Sequence, residues 1–213
     1  VHMGCGLTHL EGWINCDGSP SVRMAQWPKP ILSLLKATGL VSAEVRTFWD
    51  FLNTSPVLYV NSHKPWPFAT DSVDVIYSSH MIDCFGFKDK RHFFHESFRV
   101  LRPGGVLRLA GLDLAREVQT YLQTKDANRL IRHLSYPNPN DMTLRDRVKQ
   151  AFFPEKLYIT QLDFNAYAEL LKDVGFSEVI NLPPGETTIQ ALEPVNLWQR
   201  QGESLYVEAY KPS

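Results

Sequence analysis

Two groups of residues in this chain have types and spacing suited to chemistry. The opening stretch, VHMGCGLTHLEGWINCD, sets Gly4, Cys5 and Gly6 between two apolar-leaning runs and closes the second run on Asp17. Glycines in a turn reach backbone conformations closed to other residues and remove side chains where a ligand could approach. An acid at the tip of the following strand is where an α/β nucleotide site holds a ribose diol. The stretch reads either as half of a nucleoside pocket or as a structural glycine turn between two strands. The second group is Ser78-Ser79-His80, directly after the run VDVIY. Imidazole titrates near neutrality, so His80 is a candidate base, the alternative being a histidine bonded to backbone. Asp83 is a second candidate, or an ordinary carboxylate at the start of a helix.

Several chemistries are excluded. Reading a dinucleotide fingerprint from Gly4 puts His9 at the third glycine, and Asp17 arrives too early after Gly6. No Lys-Ser/Thr pair follows the glycines, so a phosphate-binding P-loop is absent. What remains suits a nucleoside without a pyrophosphate. The net charge of -1 gives no general attraction to nucleic acid or to an anionic membrane. Cys5, Cys16 and Cys84 make no metal spacing, and an odd thiol count suits a reducing, cytoplasmic setting. No apolar run approaches the ~20 residues that span a bilayer. The chain opens inside its expected first strand, which suggests residues upstream of Val1.

The elements that must position these residues follow from periodicity. Ser19–Phe51 reads as helical with a break at Pro28 and Pro30. Val57–Val60 is a short buried strand, and it places Asn61 and Ser62 at a carboxyl end. There a side-chain amide could read the edge of a base, or simply cap the turn. Val73–Tyr77 is the next strand. Lys88–Leu101 is an amphipathic helix with Phe93, Phe94, Phe98 and Leu101 on one face and Lys90, Glu96 and Arg99 elsewhere. Arg102–Gly105 stops it, Val106–Ala110 is a strand, and Leu114–Gln123 is a helix capped by Asp113. The region 124–160, rich in Asn, Pro, Arg and His, reads as a lid or substrate-binding insert. Asp163–Val174 resumes a helix that Gly175 stops, and Glu178–Leu182 and Ser204–Tyr210 are the last strands. This order predicts one α/β domain over 1–213 with a mainly parallel sheet covered on both faces.

MGCG with WINCD, KPWPFATDSVDVIYSSH, ESFRVLRPGGVLRLAGLDL, and DVGFSEV with ESLYVEAYKP together resemble the class I S-adenosylmethionine-dependent methyltransferases. The likeness is to the small bacterial methyltransferase-11 type. It implies a Rossmann-like, seven-stranded sheet with an antiparallel last strand. It also implies that Gly4, Cys5 and Gly6 pass under the methionine part of S-adenosyl-L-methionine and that Asp17 takes the ribose hydroxyls. Asn61 or Ser62 would lie beside the adenine, while Ser78, Ser79 and His80 would face the methyl group. Two departures stand out. Asp83-Cys84 replaces the Glu-His that relatives commonly carry, and the link between Gly6 and Asp17 is too short for the usual first helix.

The expected activity is therefore methyl transfer to oxygen or nitrogen of a small-molecule acceptor, sugar-containing or natural-product compounds included. His80 is the first candidate base and Asp83 the second. In the insert, His133, Tyr136, Arg145 and Arg147 are candidate substrate contacts, and Phe152-Phe153 a candidate aromatic wall. Nucleic acid is not expected as a substrate, because the chain lacks a basic stripe. The alternatives are a cofactor-binding scaffold of the same fold without transfer activity, and an NAD-dependent oxidoreductase on a similar sheet.

Overall fold

The computed structural model describes residues 1–37, 41–134, 160–190 and 195–213. Seven strands form one sheet: β1 (His2–Met3), β2 (Asn15–Asp17), β3 (Leu58–Tyr59), β4 (Val73–Ser79), β5 (Leu101–Leu112), β6 (Glu178–Leu182) and β7 (Ser204–Tyr210). Their order across the sheet is β3-β2-β1-β4-β5-β7-β6. Strands β1 to β5 pair in parallel, and β7 runs antiparallel to both neighbours. This is the seven-stranded, mainly parallel sheet with a reversed last strand that the resemblance implies.

The long helical stretch after Asp17 resolves into α1 (Pro20–Met24), α2 (Lys29–Ala37) and α3 (Ala43–Leu52). Further along come α4 (Phe87–Val100), α5 (Leu114–Thr124), α6 (Ala127–Leu134) and α7 (Phe164–Val174). The expected Asp113 cap forms, accepting from Arg116 N–H, and Asp163 caps α7 in the same way by accepting from Ala166 N–H. Of the insert expected at 124–160, α6 is described. Tyr136, Arg145, Arg147 and Phe152-Phe153 lie outside the described residues. The glycine-rich Arg102–Gly105 belongs to β5 as an irregularity, where the β4 register shifts between Val73 and Val75. No helix among the described residues is long and apolar enough to cross a membrane.

The sheet has two unlike faces. One carries the main apolar core, in which Phe93 and Phe94 of α4 and Leu171 of α7 pack wholly buried against Ile76, Leu107 and Val207. Lys90 and Glu96 share this buried side of α4, contrary to the sequence expectation. Each is there because a partner is. Glu96 accepts from Trp66 N–H at 2.6 Å and from Arg99, whose guanidinium also holds the carbonyls of Trp66 and Phe68. The Arg99 contact keeps the Glu96 carboxyl below its ordinary range. The proline-rich approach to β4 is thereby fastened to α4.

The other face carries polar groups at its centre. Arg108 of β5 and Glu208 of β7 form an ion pair at 2.5 Å, with side chains 1% and 0% exposed. Glu208 also accepts from Thr187 Oγ1 and from Thr188 N–H, which ties the β6–β7 connection down over the sheet. Leu10, Tyr77 and Val195 form a small apolar cluster on this side, with Trp13 and Leu197 packed on it.

No helix joins β1 to β2. The link is organised by Asn15, which is 3% exposed. Its Oδ1 accepts from Leu10 N–H at 3.1 Å and lies 3.1 Å from His2 Nδ1. Its amide donates to the carbonyls of Leu10 and Trp13 at 2.9 and 3.2 Å. One side chain thus satisfies the backbone groups that a helix would have paired internally. Replacing it leaves several buried groups unmet, at about 1–3 kcal/mol each. Asn15→Ala is therefore expected to lower unfolding stability by about 3 kcal/mol in urea titration. A loss within about 0.5 kcal/mol, the range of ordinary surface changes, would show that water replaces the side chain at no cost.

Candidate functional site

At the carboxyl end of β2 sits Asp17, 7% exposed. Its Oδ2 accepts from Gly6 N–H at 3.1 Å and its Oδ1 from Ser19 N–H at 2.8 Å. The carboxylate therefore joins two loops, the glycine turn after β1 and the entry to α1. Each oxygen keeps acceptor capacity beyond the backbone bond it makes. Gly18, between them, allows the β2 and β3 exits to close up, since a Cβ there would lie 2.8 Å from the Val60 carbonyl.

The turn itself is fixed from below. Gly4 N–H and Cys5 N–H both donate to the Cys16 carbonyl, at 2.8 and 3.0 Å. Gly4 has φ +71 and Gly6 φ +52, in the left-handed region that favours glycine. A Cβ on Gly4 would fall 2.4 Å from Met81 Sδ. The missing side chain at Gly4 thus makes room for Met81. Burial pushes the Cys16 thiol up to about 12, so it stays protonated and unreactive.

Met81 reaches Gly4 because β4 ends in a sharp corner. His80 takes φ +50, a conformation costing a non-glycine residue on the order of 1 kcal/mol. Its N–H donates to the Ala110 carbonyl at 2.7 Å. The His80 ring is 7% exposed, with Nε2 at 2.9 Å from Ser204 Oγ and Nδ1 at 3.5 Å from Asp83 Oδ2. Asp83 lies in a 3-10 turn, Ile82–Cys84, and is fully buried. Its Oδ2 accepts from Leu112 N–H at 3.0 Å, and Tyr167 Oη lies 3.5 Å from its Oδ1. Burial, with the Asp83 charge beside it, holds the Tyr167 phenol well above its ordinary range. Gly111 makes space for this pair, since a Cβ there would sit 2.8 Å from Tyr167 Oη and 3.0 Å from Asp83 Oδ1. Asp83 lies 3.5 Å from His80 Nδ1 and is closed off from solvent.

Other predicted positions fall on the same rim. Asn61 Oδ1 accepts from His63 N–H at 2.9 Å, which makes the turn cap and leaves the amide for another partner. Ser62 is buried beside it. Ser19 and Ser78 each bury a hydroxyl that has no hydrogen-bond partner among the described residues, and the buried Ser79 hydroxyl lies beside the Tyr77 phenol. Ser19 follows the end of β2, and Ser78 and Ser79 close β4, so these hydroxyls flank β1 and its glycine turn. Unmet buried hydroxyls beside a carboxylate with spare lone pairs suit a ligand rich in hydroxyl and amine groups. The loop offers no cation for a phosphate. These residues therefore fit S-adenosylmethionine better than a dinucleotide.

A cavity of about 490 Å³ lies elsewhere, at the amino ends of β2 and β3, between Trp13, Ile14, Val22, Leu52 and Leu58. It touches none of the rim residues. Among the described residues no cluster of three His, Cys, Asp or Glu could hold a metal ion. The residues missed from the sequence are Met81, Lys90, Tyr167 and Ser204. Lys90 was detectable, since it precedes Phe93 and Phe94 by three and four positions and so shares their helix face. Ser204 and Tyr167 come from elements far away in the chain and carry no local signal.

Residues 21–109 match the family model described as a methyltransferase domain. No curated protein matches the chain. Among solved structures, the complex of a methyltransferase activator with a methyltransferase from Haloferax volcanii aligns with 100% of this chain and 81% of that one. The identity there is 16% and the TM-score 0.50. A Thermotoga maritima S-adenosylmethionine-dependent methyltransferase aligns over 99% of this chain and 80% of its own, at 19% identity and TM-score 0.48. One from Archaeoglobus fulgidus aligns over 99% and 84%, at 9% identity and TM-score 0.48. At 16% identity, the likeness to the Haloferax volcanii structure is one of fold.

The contact between the turn and the corner is testable without any ligand. Gly4→Ala combines an unfavourable φ with a clash, and is expected to cost about 2 kcal/mol of stability. Adding Met81→Ala removes the clash alone, so a double-mutant cycle should recover about 1 kcal/mol. Strict additivity would mean that Met81 does not press on Gly4 in solution.

Proposed function

We propose that this chain, whose residues 21–109 match a methyltransferase-domain family model, binds S-adenosyl-L-methionine along the carboxyl rim of its sheet and methylates oxygen or nitrogen of a small molecule. The observation that carries this reading is the Asp17 carboxylate, clasped to the glycine turn through Gly6 N–H and flanked by the unmet hydroxyls of Ser19 and Ser78. When bound, the cofactor supplies a methyl group on an electrophilic sulfonium. Asp17 accepts from the ribose hydroxyls. The backbone of Gly4, Cys5 and Gly6 runs under the methionine part. Asn61, through its amide, or Ser62 lies beside the adenine, and Ser78 and Ser79 border the transferring end. Sugar-containing and natural-product compounds are the acceptor class the reading favours.

His80 is the group that manages the acceptor's proton, from its place at the end of β4. Asp83 enters this proposal as a positioning residue, because its carboxylate is fully buried and reaches the ring but no acceptor. Ser204 Oγ, 2.9 Å from Nε2, fixes the ring direction, and Asp83 lies 3.5 Å from Nδ1, which makes no hydrogen bond within the described residues. Positioning of acceptor and methyl supplies the larger part of the acceleration, and proton removal contributes typically ~10²–10⁴-fold.

One observation favours a second reading, cofactor binding without transfer: both ring nitrogens of His80 face protein groups, Ser204 and Asp83. Calorimetric titration with S-adenosylmethionine and S-adenosylhomocysteine tests the binding step. Micromolar binding is expected, with Asp17→Ala weakening it about 30-fold, the effect of losing hydrogen bonds worth about 2 kcal/mol to a charged group. No binding of either compound sinks both readings. Binding with no turnover across a panel of hydroxyl- and amine-bearing acceptors supports the second. Where an acceptor turns over, His80→Gln should lower kcat by ~10² or more, and an unchanged kcat removes His80 as the base.

A further inference from the structure

We infer that the cavity at the amino ends of β2 and β3 is a binding site, separate from the carboxyl rim, for a neutral planar aromatic molecule carrying one hydrogen-bonding group. Its origin lies in the short β1–β2 link. That link builds no helix, so the starts of β2 and β3 are covered by α1 and the end of α3, and the cover is incomplete. The space left is about 490 Å³, within the range of small-molecule sites. Val22 of α1 and Leu52 of α3 line it from the helices, and the exposed Ile14 and Leu58 from the strand side.

The lining decides the occupant. Among the described residues, none that lines the cavity carries a charge. A carboxylate, phosphate or ammonium brought here would lose water without gaining a counter-ion, so the ligand is neutral. Apolar side chains supply most of the contact, and the half-buried Trp13 adds an aromatic ring against which a planar ligand can pack. That residue is held before any ligand arrives. Its ring meets Tyr77 edge-on at 6.4 Å between centroids, and its carbonyl accepts from the Asn15 amide at 3.2 Å. A site ordered in advance spends little binding energy on its own arrangement. Gln26 and Asn53 bring exposed amide side chains, which donate and accept hydrogen bonds and so suit a hydroxyl or a ring N–H. A protein partner would need roughly 800 Å² of complementary surface on each side, whereas this feature is one depression of small-molecule size.

The experiment titrates the full chain with indole and follows the Trp13 side-chain N–H by NMR, its signal assigned by its loss in Trp13→Phe. Indole should saturate with a Kd below about 1 mM, a reasonable affinity for so small a ligand. Indole-3-acetate, the same ring bearing a charge, should bind at least about tenfold more weakly. Ala25 also lines the cavity, so Ala25→Phe should fill it and weaken indole by about tenfold or more. No saturable shift in the parent chain, or equal affinity for the two compounds, overturns the inference, as does unchanged indole binding in a folded Ala25→Phe chain. Should that variant not fold, the parent chain decides: nuclear Overhauser contacts from indole to the Val22 and Leu58 methyl groups support the site, and contacts confined to other residues overturn it. If the same Trp13 signal moves when the chain alone is diluted, the cavity is an interface between copies and the inference falls. Failure of the chain to bind S-adenosylmethionine would remove the proposed function while leaving the indole titration unchanged.

Discussion

The carboxylate of Asp17 is the constraint on which the rim depends. Its oxygens take one backbone N–H from the turn after β1 and one from the entry to α1. Two loops that approach the same edge from different strands are therefore locked together by a charged acceptor already in place. Charge-assisted bonds of this kind are stronger than neutral ones, and here they are shielded from water. A ligand arriving at this edge meets an ordered surface, so little of its binding energy goes into arranging the loops. The left-handed glycines and the close approach at Gly18 are local conditions for this arrangement.

The corner after β4 is the second fixed point, and it is tied to the first through Met81 on Gly4. Strands β4 and β5, helix α7 and the start of β7 all send a group to it. Leu112 N–H and Tyr167 meet Asp83, and Ser204 meets the His80 ring. A strained backbone at His80 persists because so many partners determine it. Polar groups buried this deeply have every reason to be partnered, since each one left unmet weakens the fold.

Much of this was legible in the sequence, and the reasons are physical. Strand and helix identities followed from periodicity: VDVIY, the Phe93-Phe94 face and the Asp113 cap all formed as the local chemistry dictates. The reversed β7 came from the family likeness, since nothing local to SLYVEAY fixes its direction. The role of Asn15 was not legible, because an asparagine within WINC looks like a strand residue until its partners at Leu10 and Trp13 are in place. Gly4 was readable as a glycine turn, but not that its open space belongs to Met81. Lys90 was placed on the wrong side of α4 by the ordinary rule that charges face water, a rule that fails here because the Ile82 carbonyl accepts from the buried ammonium.

The Arg108–Glu208 pair bears on how the sheet assembles. Strand β6 is made before β7, yet β7 must lie between β5 and β6. A premature β5–β6 edge would enclose the Arg108 guanidinium with no anion, a penalty of several kcal/mol. With β7 between them, Glu208 meets that guanidinium in the dry seam, so the observed strand order is the one in which neither charge is buried alone.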